Sequence, residues 1–140
     1  MKRITVIIMS MVLFLTSILP VFAAQDVIFT SAVRTTTATS ADIYRSTEHG
    51  AHFVFNVTAV PGVDTVTPKI QGKDALGNYY DILVGSAIVA TGITVLKIYP
   101  GIGAVANGSA SDVLPDVYRV VITPSAASNF TYTATANKAN

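Results

Sequence analysis

The sequence predicts an all-β chain, a single antiparallel β-sandwich of about seven strands. Three observations predict it. Val, Ile, Thr, Tyr and Phe dominate the residues after Pro20, and these are the types that suit a pleated, half-buried surface. Gly, Pro, Asn and Asp punctuate them at short intervals, as turns between short strands require. No stretch carries a sustained 3.6-residue apolar period with a cap at each end, so no amphipathic helix is expected.

The strands follow in order. Val27–Val33 is the first apolar run. In the second, Phe53, Phe55 and Val57 share one face, and His52, Val54, Asn56 and Thr58 share the other. From Thr65 to Lys73 the polar side is Thr65, Thr67, Lys69, Gln71 and Lys73, with Val66 and Ile70 behind it. Pro68 cannot donate to a ladder, so this strand is expected at a sheet edge or bulged at the proline. The turn-rich Lys73–Asn78 connects it to Tyr79–Val84 as a hairpin. Thr94–Tyr99 and Val117–Thr123 are the next two strands. Asn129–Thr135 gives the clearest alternation, with Phe130, Tyr132 and Ala134 against Thr131, Thr133 and Thr135. The Thr-rich Thr35–Ser40 reads equally as an edge strand or a loop. Pro100–Pro115, rich in Gly, Ala, Ser and Asn, reads as a long surface loop.

Tyr118 stands at the start of a late strand just after the Leu114-Pro115-Asp116 turn. Immunoglobulin-like sandwiches place a corner tyrosine there, its hydroxyl bonded back to the upstream backbone. An ordinary half-buried strand tyrosine fits the position as well. The general form expected is immunoglobulin-like or jelly-roll-like.

The first 23 residues are of another kind. Met1-Lys2-Arg3 is a basic start, Ile4–Leu19 is almost wholly apolar, Pro20 breaks the run, and Val21-Phe22-Ala23 ends it at a small residue. That order predicts a signal peptide over 1–23 and one domain over 24–140. No Lys or Arg cluster follows as a stop-transfer flank, so no stable membrane anchor is expected once the segment is cleaved; retention would make it one. The chain has no cysteine, which excludes a lipid anchor on Cys and leaves stability to packing without disulfides. The expected location is secreted, periplasmic or cell-surface.

Charge and chemistry narrow the function. Of nine basic residues the leader takes Lys2 and Arg3, leaving seven against eight acidic ones, a net charge of −1 with His neutral. No basic patch remains for a phosphate backbone, so nucleic acid is not an expected partner. His49 and His52 would point to opposite sides of a strand, and spacing offers no third ligand, so no metal is expected. Ser109, Ser111 and Asp112 lack the Gly-x-Ser-x-Gly turn of a hydrolase. The aspartates are scattered beside turn residues and form no calcium loop. There is no Trp for a sugar platform, though Tyr44, Tyr79 and Tyr99 could be exposed. No catalytic, cofactor or metal residue is therefore assigned. The chain is expected to act through its surface. Gly101, Gly103, Asn107, Gly108, Ser109 and Ser111 are the candidate contact loop, because binding residues gather on loops held by a rigid scaffold.

Several runs are similar to a known group. Thr30–Thr35, Thr39–Asp42, Phe53–Ala59 and Lys69–Asp74 with Gly77 and Tyr79-Tyr80 come first; Thr94–Gly101, Ala110–Pro115 and Tyr118–Thr123 follow in the same order. Together they resemble small β-sandwich structural proteins of tailed bacteriophages, over roughly Val27 to Ala136. The resemblance implies a non-enzymatic virion component, such as a capsid decoration or minor head or tail protein, and supplies no catalytic residue. The leader is a departure from that group. The alternative is a secreted adhesion or carbohydrate-binding module of a bacterial envelope. The partner on these readings is a protein assembly or a cell-surface polymer, with self-association left open.

Overall fold

The computed structural model describes residues 25–139, and the leader expected over 1–23 lies outside the described residues. Within them the chain is all-β. Ten strands run β1 Gln25–Arg34, β2 Ala38–Thr39, β3 Ile43–Tyr44, β4 Gly50–Ala59, β5 Val66–Lys73, β6 Tyr79–Val84, β7 Gly92–Ile98, β8 Ser109–Ala110, β9 Val117–Pro124 and β10 Phe130–Ala139. One sheet has the order β1-β10-β4-β7-β8. The other is β2-β9-β5-β6, with β3 also on β9. All pairings are antiparallel except β7 with β8. β4, β5, β9 and β10 bury alternate residues over most of their length, and one cluster draws Phe53, Phe55, Leu96, Phe130 and Tyr132 from the first sheet and Val66, Ile70, Tyr118, Val120 and Ile122 from the second. Two sheets sharing one core are compatible with a β-sandwich.

The seven strands read from sequence are β1, β4, β5, β6, β7, β9 and β10. The count is ten, not seven, because three two-residue strands add to them. β2 and β3 lie along β9, and β8 lies within the segment read as a loop. Two residues carry no alternation, so periodicity cannot find them. The hairpin after Lys73 forms as expected. The Asp74 carboxylate accepts from the backbone N–H of Leu76 at 2.9 Å and of Asn78 at 2.7 Å, and Gly77 takes φ +92°, a left-handed turn conformation that glycine adopts without strain.

Two expectations need correction. β5 is not an edge strand; it lies between β9 and β6, and Pro68 pairs with Ile122. The proline is tolerated because its ring nitrogen and its carbonyl face the same side, beyond the end of β6. There the carbonyl accepts from Gly85 N–H at 2.8 Å. The register irregularity falls between Ile70 and Gln71, past the proline. Tyr118, in turn, is neither half-buried nor a bonded corner. It is wholly buried, edge-on to Phe53 with ring centroids 5.8 Å apart, and its hydroxyl has no hydrogen-bond partner among the described residues.

Candidate interaction surface

The 101–111 segment is ordered by its own hydrogen bonds. Gly101, at φ +76°, turns the chain out of β7, and its N–H donates to Ser111 Oγ at 3.2 Å. Val105 N–H donates to Ser109 C=O at 3.0 Å, while Gly108 and Ser109 N–H both donate to Val105 C=O, at 3.0 and 2.9 Å. Asn107 sits at φ 57°, a left-handed conformation that Asn tolerates better than most residues. Ser109 is buried, and its hydroxyl donates to Gly103 C=O at 2.7 Å. β8 then joins the sheet: Lys97 N–H donates to Gly108 C=O at 3.0 Å and Tyr99 N–H to Ala110 C=O at 3.2 Å.

The six candidate residues thus divide. Gly101, Gly103, Asn107 and Ser111 are exposed, Gly108 is half-buried and Ser109 is buried. Around them Ala104, Val105 and Ala106 are also exposed. A Cβ on Gly103 would meet nothing within 4 Å, so that position carries no packing demand. The segment is a braced, weakly apolar projection from the edge of the first sheet.

The polar side of β5 carries a second, charged surface. Thr67, Lys69, Gln71 and Lys73 are half-buried there, as the alternation predicts. Lys69 pairs with Asp81 at 3.0 Å, and Gln71 Nε2 donates to Asp81 at 2.7 Å. Arg119 Nε donates to Gln71 Oε1 at 2.9 Å, and its guanidinium lies over the Tyr79 ring, 3.3 Å from the centroid. The Tyr79 hydroxyl donates to Asp42, which also takes Lys73 Nζ at 2.6 Å. Those bonds from Lys73 and Tyr79 hold the Asp42 carboxyl below the usual carboxylate range, and the same contact with Asp42 raises Lys73. Every charge in this array has a partner, so it reads as a self-satisfied surface. β6 contributes Tyr79, named from sequence as an aromatic that could be exposed, and Asp81, while β9 contributes Arg119; the sequence reading did not bring these three together.

Other candidates are placed apart. His49 is exposed before β4, whereas His52 in β4 is half-buried, edge-on to Tyr99 with centroids 5.0 Å apart. Burial, then the Lys97 charge, lowers the pKa of His52. No group of three His, Cys, Asp or Glu able to hold a metal occurs among the described residues, nor does a helix long and apolar enough to cross a membrane. Tyr44 is exposed. Tyr79 is covered by Arg119, and Tyr99 is half-buried against His52.

One region went unnoticed in the sequence. A cleft of about 460 Å³ opens between the start of β1 and the 40–44 segment, lined by Asp26, Ile28, Asp42, Tyr44 and Lys138 among others. At its floor Lys138, almost fully buried, contacts Asp26 at 2.6 Å. Glu48 is buried nearby. The N–H of Glu48, then that of Ser46, with a smaller share from the Ser46 hydroxyl, hold its carboxyl at about 2 against the opposing effect of burial. The available sequence signal was parity: Phe130, Tyr132 and Ala134, continued at a period of two, reach Ala136 and Lys138.

No family model, curated protein or solved structure matches the chain.

Proposed function

We propose that this chain is a non-catalytic structural protein, an immunoglobulin-like β-sandwich that attaches through its surface to a larger protein assembly, as the phage decoration subunits it resembles would. The observation that carries the reading is the braced 101–111 segment. A plain connector needs no internal hydrogen bonds, whereas a contact loop gains from them, because a shape fixed beforehand loses less conformational entropy on binding. Its exposed residues are small, uncharged and centred on Val105, suited to lie against a protein surface. Exposed Tyr44 and Tyr80 favour a second reading, an envelope module that binds a surface polymer through aromatic rings.

The test is where the protein sediments. On a density gradient of the producing culture, a tagged full chain should travel with particles on the first reading and with envelope fragments on the second. Deletion of Gly103–Ser109 would remove half of β8, so a point change is the cleaner perturbation. Val105→Asp puts a charge at an exposed site and should release the chain to the top of the gradient without changing its melting temperature.

A further inference from the structure

We propose that Lys138 and Asp26 form an intramolecular amide bond that joins the last strand to the first. Lys138 is the one lysine buried among the described residues, and it sits on the buried face of β10 in line with Phe130, Tyr132, Ala134 and Ala136. Asp26 is on β1, opposite Ala136, so the two are diagonal neighbours across the β1–β10 ladder. Their contact of 2.6 Å brings amine and carboxyl within reach of bond formation. Lys138 is almost wholly buried while Asp26 is partly exposed, so the desolvated ammonium is only partly compensated by its partner, and an amide removes both charges.

The surroundings supply the rest. Glu48 is buried just before β4, whose Ala51 pairs with Lys138; its Oε2 accepts from Ser46 N–H at 2.8 Å, and its charge acts on Lys138 through space. Tyr118 and the Ala51–Ala136 region close the site from the core, while Asp26 remains open to the cleft on its other side. The chain has no cysteine, so no disulfide can link its ends.

The step balances without an oxidant or a reductant. A proton passes from the Lys138 ammonium to the Asp26 carboxylate across their contact, giving an amine and a carboxylic acid. Nζ then adds to Cγ of Asp26, and the N–C bond forms as one C–O bond breaks. The departing hydroxyl takes the proton that the amine sheds and leaves through the cleft as water. The products are one amide and one water.

Intact mass spectrometry of the full chain recovered from its own cells decides the matter, with the N-terminus fixed by peptide mapping. The wild type should weigh one water less than its sequence from that terminus, and trypsin should fail to cut after Lys138. A peptide joining the Asp26 and Lys138 segments should appear in the digest. Lys138→Arg retains a cation there and should restore the full mass. A folded wild type of full sequence mass, cut normally after Lys138, overturns the proposal, and so does a water loss that persists in Lys138→Arg.

Discussion

Truncating Phe55 should destabilise the fold far more than truncating His52, three residues earlier on the opposite face of β4. Phe55 is fully buried between Ala134 of β10 and Thr94 of β7. A phenylalanine buries on the order of 150 Å², worth about 4 kcal/mol at ~25 cal/mol/Å². The cavity left behind keeps Phe55→Ala within about 3–5 kcal/mol. Roughly 115 ordered residues at ~2.1 cal/mol/K each give an unfolding entropy near 0.24 kcal/mol/K, so the melting temperature should fall by about 15 °C. His52→Ala loses only an edge contact with Tyr99, about 1 kcal/mol, or ~4 °C. Thermal unfolding followed by circular dichroism measures both. Equal losses would refute the assignment of a buried and an open face to β4.

Three further outcomes follow from the same coordinates. Tyr118→Phe should cost under about 1 kcal/mol, since its hydroxyl bonds no described residue; a loss of about 2 kcal/mol in urea titration would reinstate a corner bond. Gly50→Ala should cost about 1–3 kcal/mol because a Cβ there would lie 2.5 Å from the Ile98 carbonyl oxygen, while Gly103→Ala, with open space around it, should leave the melting point unchanged. Glu48 should add an acid limb to stability. Its carboxyl is held at about 2, below its ordinary value of 4.5, so its contribution is complete above pH 4.5 and is lost as pH falls from 4.5 toward 2. Glu48→Gln should flatten the upper part of that limb, leaving the part below pH 3.8 owed to Asp42, Asp74 and Asp81, which are also lowered. An unchanged profile in that variant would show that Glu48 titrates normally.

Much of the fold was legible because burial writes itself into alternation. β4, β5 and β10 each bury every second residue over most of their length, and the stripes named from sequence match the buried faces. The two-residue strands were not legible, since their places depend on β9 and β7 rather than on their own residues. Pro68 misled for a related reason: whether a missing donor matters depends on where the neighbouring strand stops, which lies sixteen residues away at Val84. The candidate loop was visible as small polar residues, but its bracing was not, because Val105–Ser109 and Gly103–Ser109 contacts depend on a local turn that composition does not specify. The Asp42–Tyr79–Arg119 array and the Asp26–Lys138 contact join residues far apart in the chain, and only the parity of Lys138 pointed to either.

Sedimentation of the wild type beside Val105→Asp tests the central claim most directly, with melting temperature measured on both. If the chain is a structural subunit held through its braced loop, the wild type sediments with an assembly, and the variant stays at the top of the gradient with its melting temperature intact. A wild type that stays at the top as free protein, or a variant that sediments as the wild type does, contradicts it.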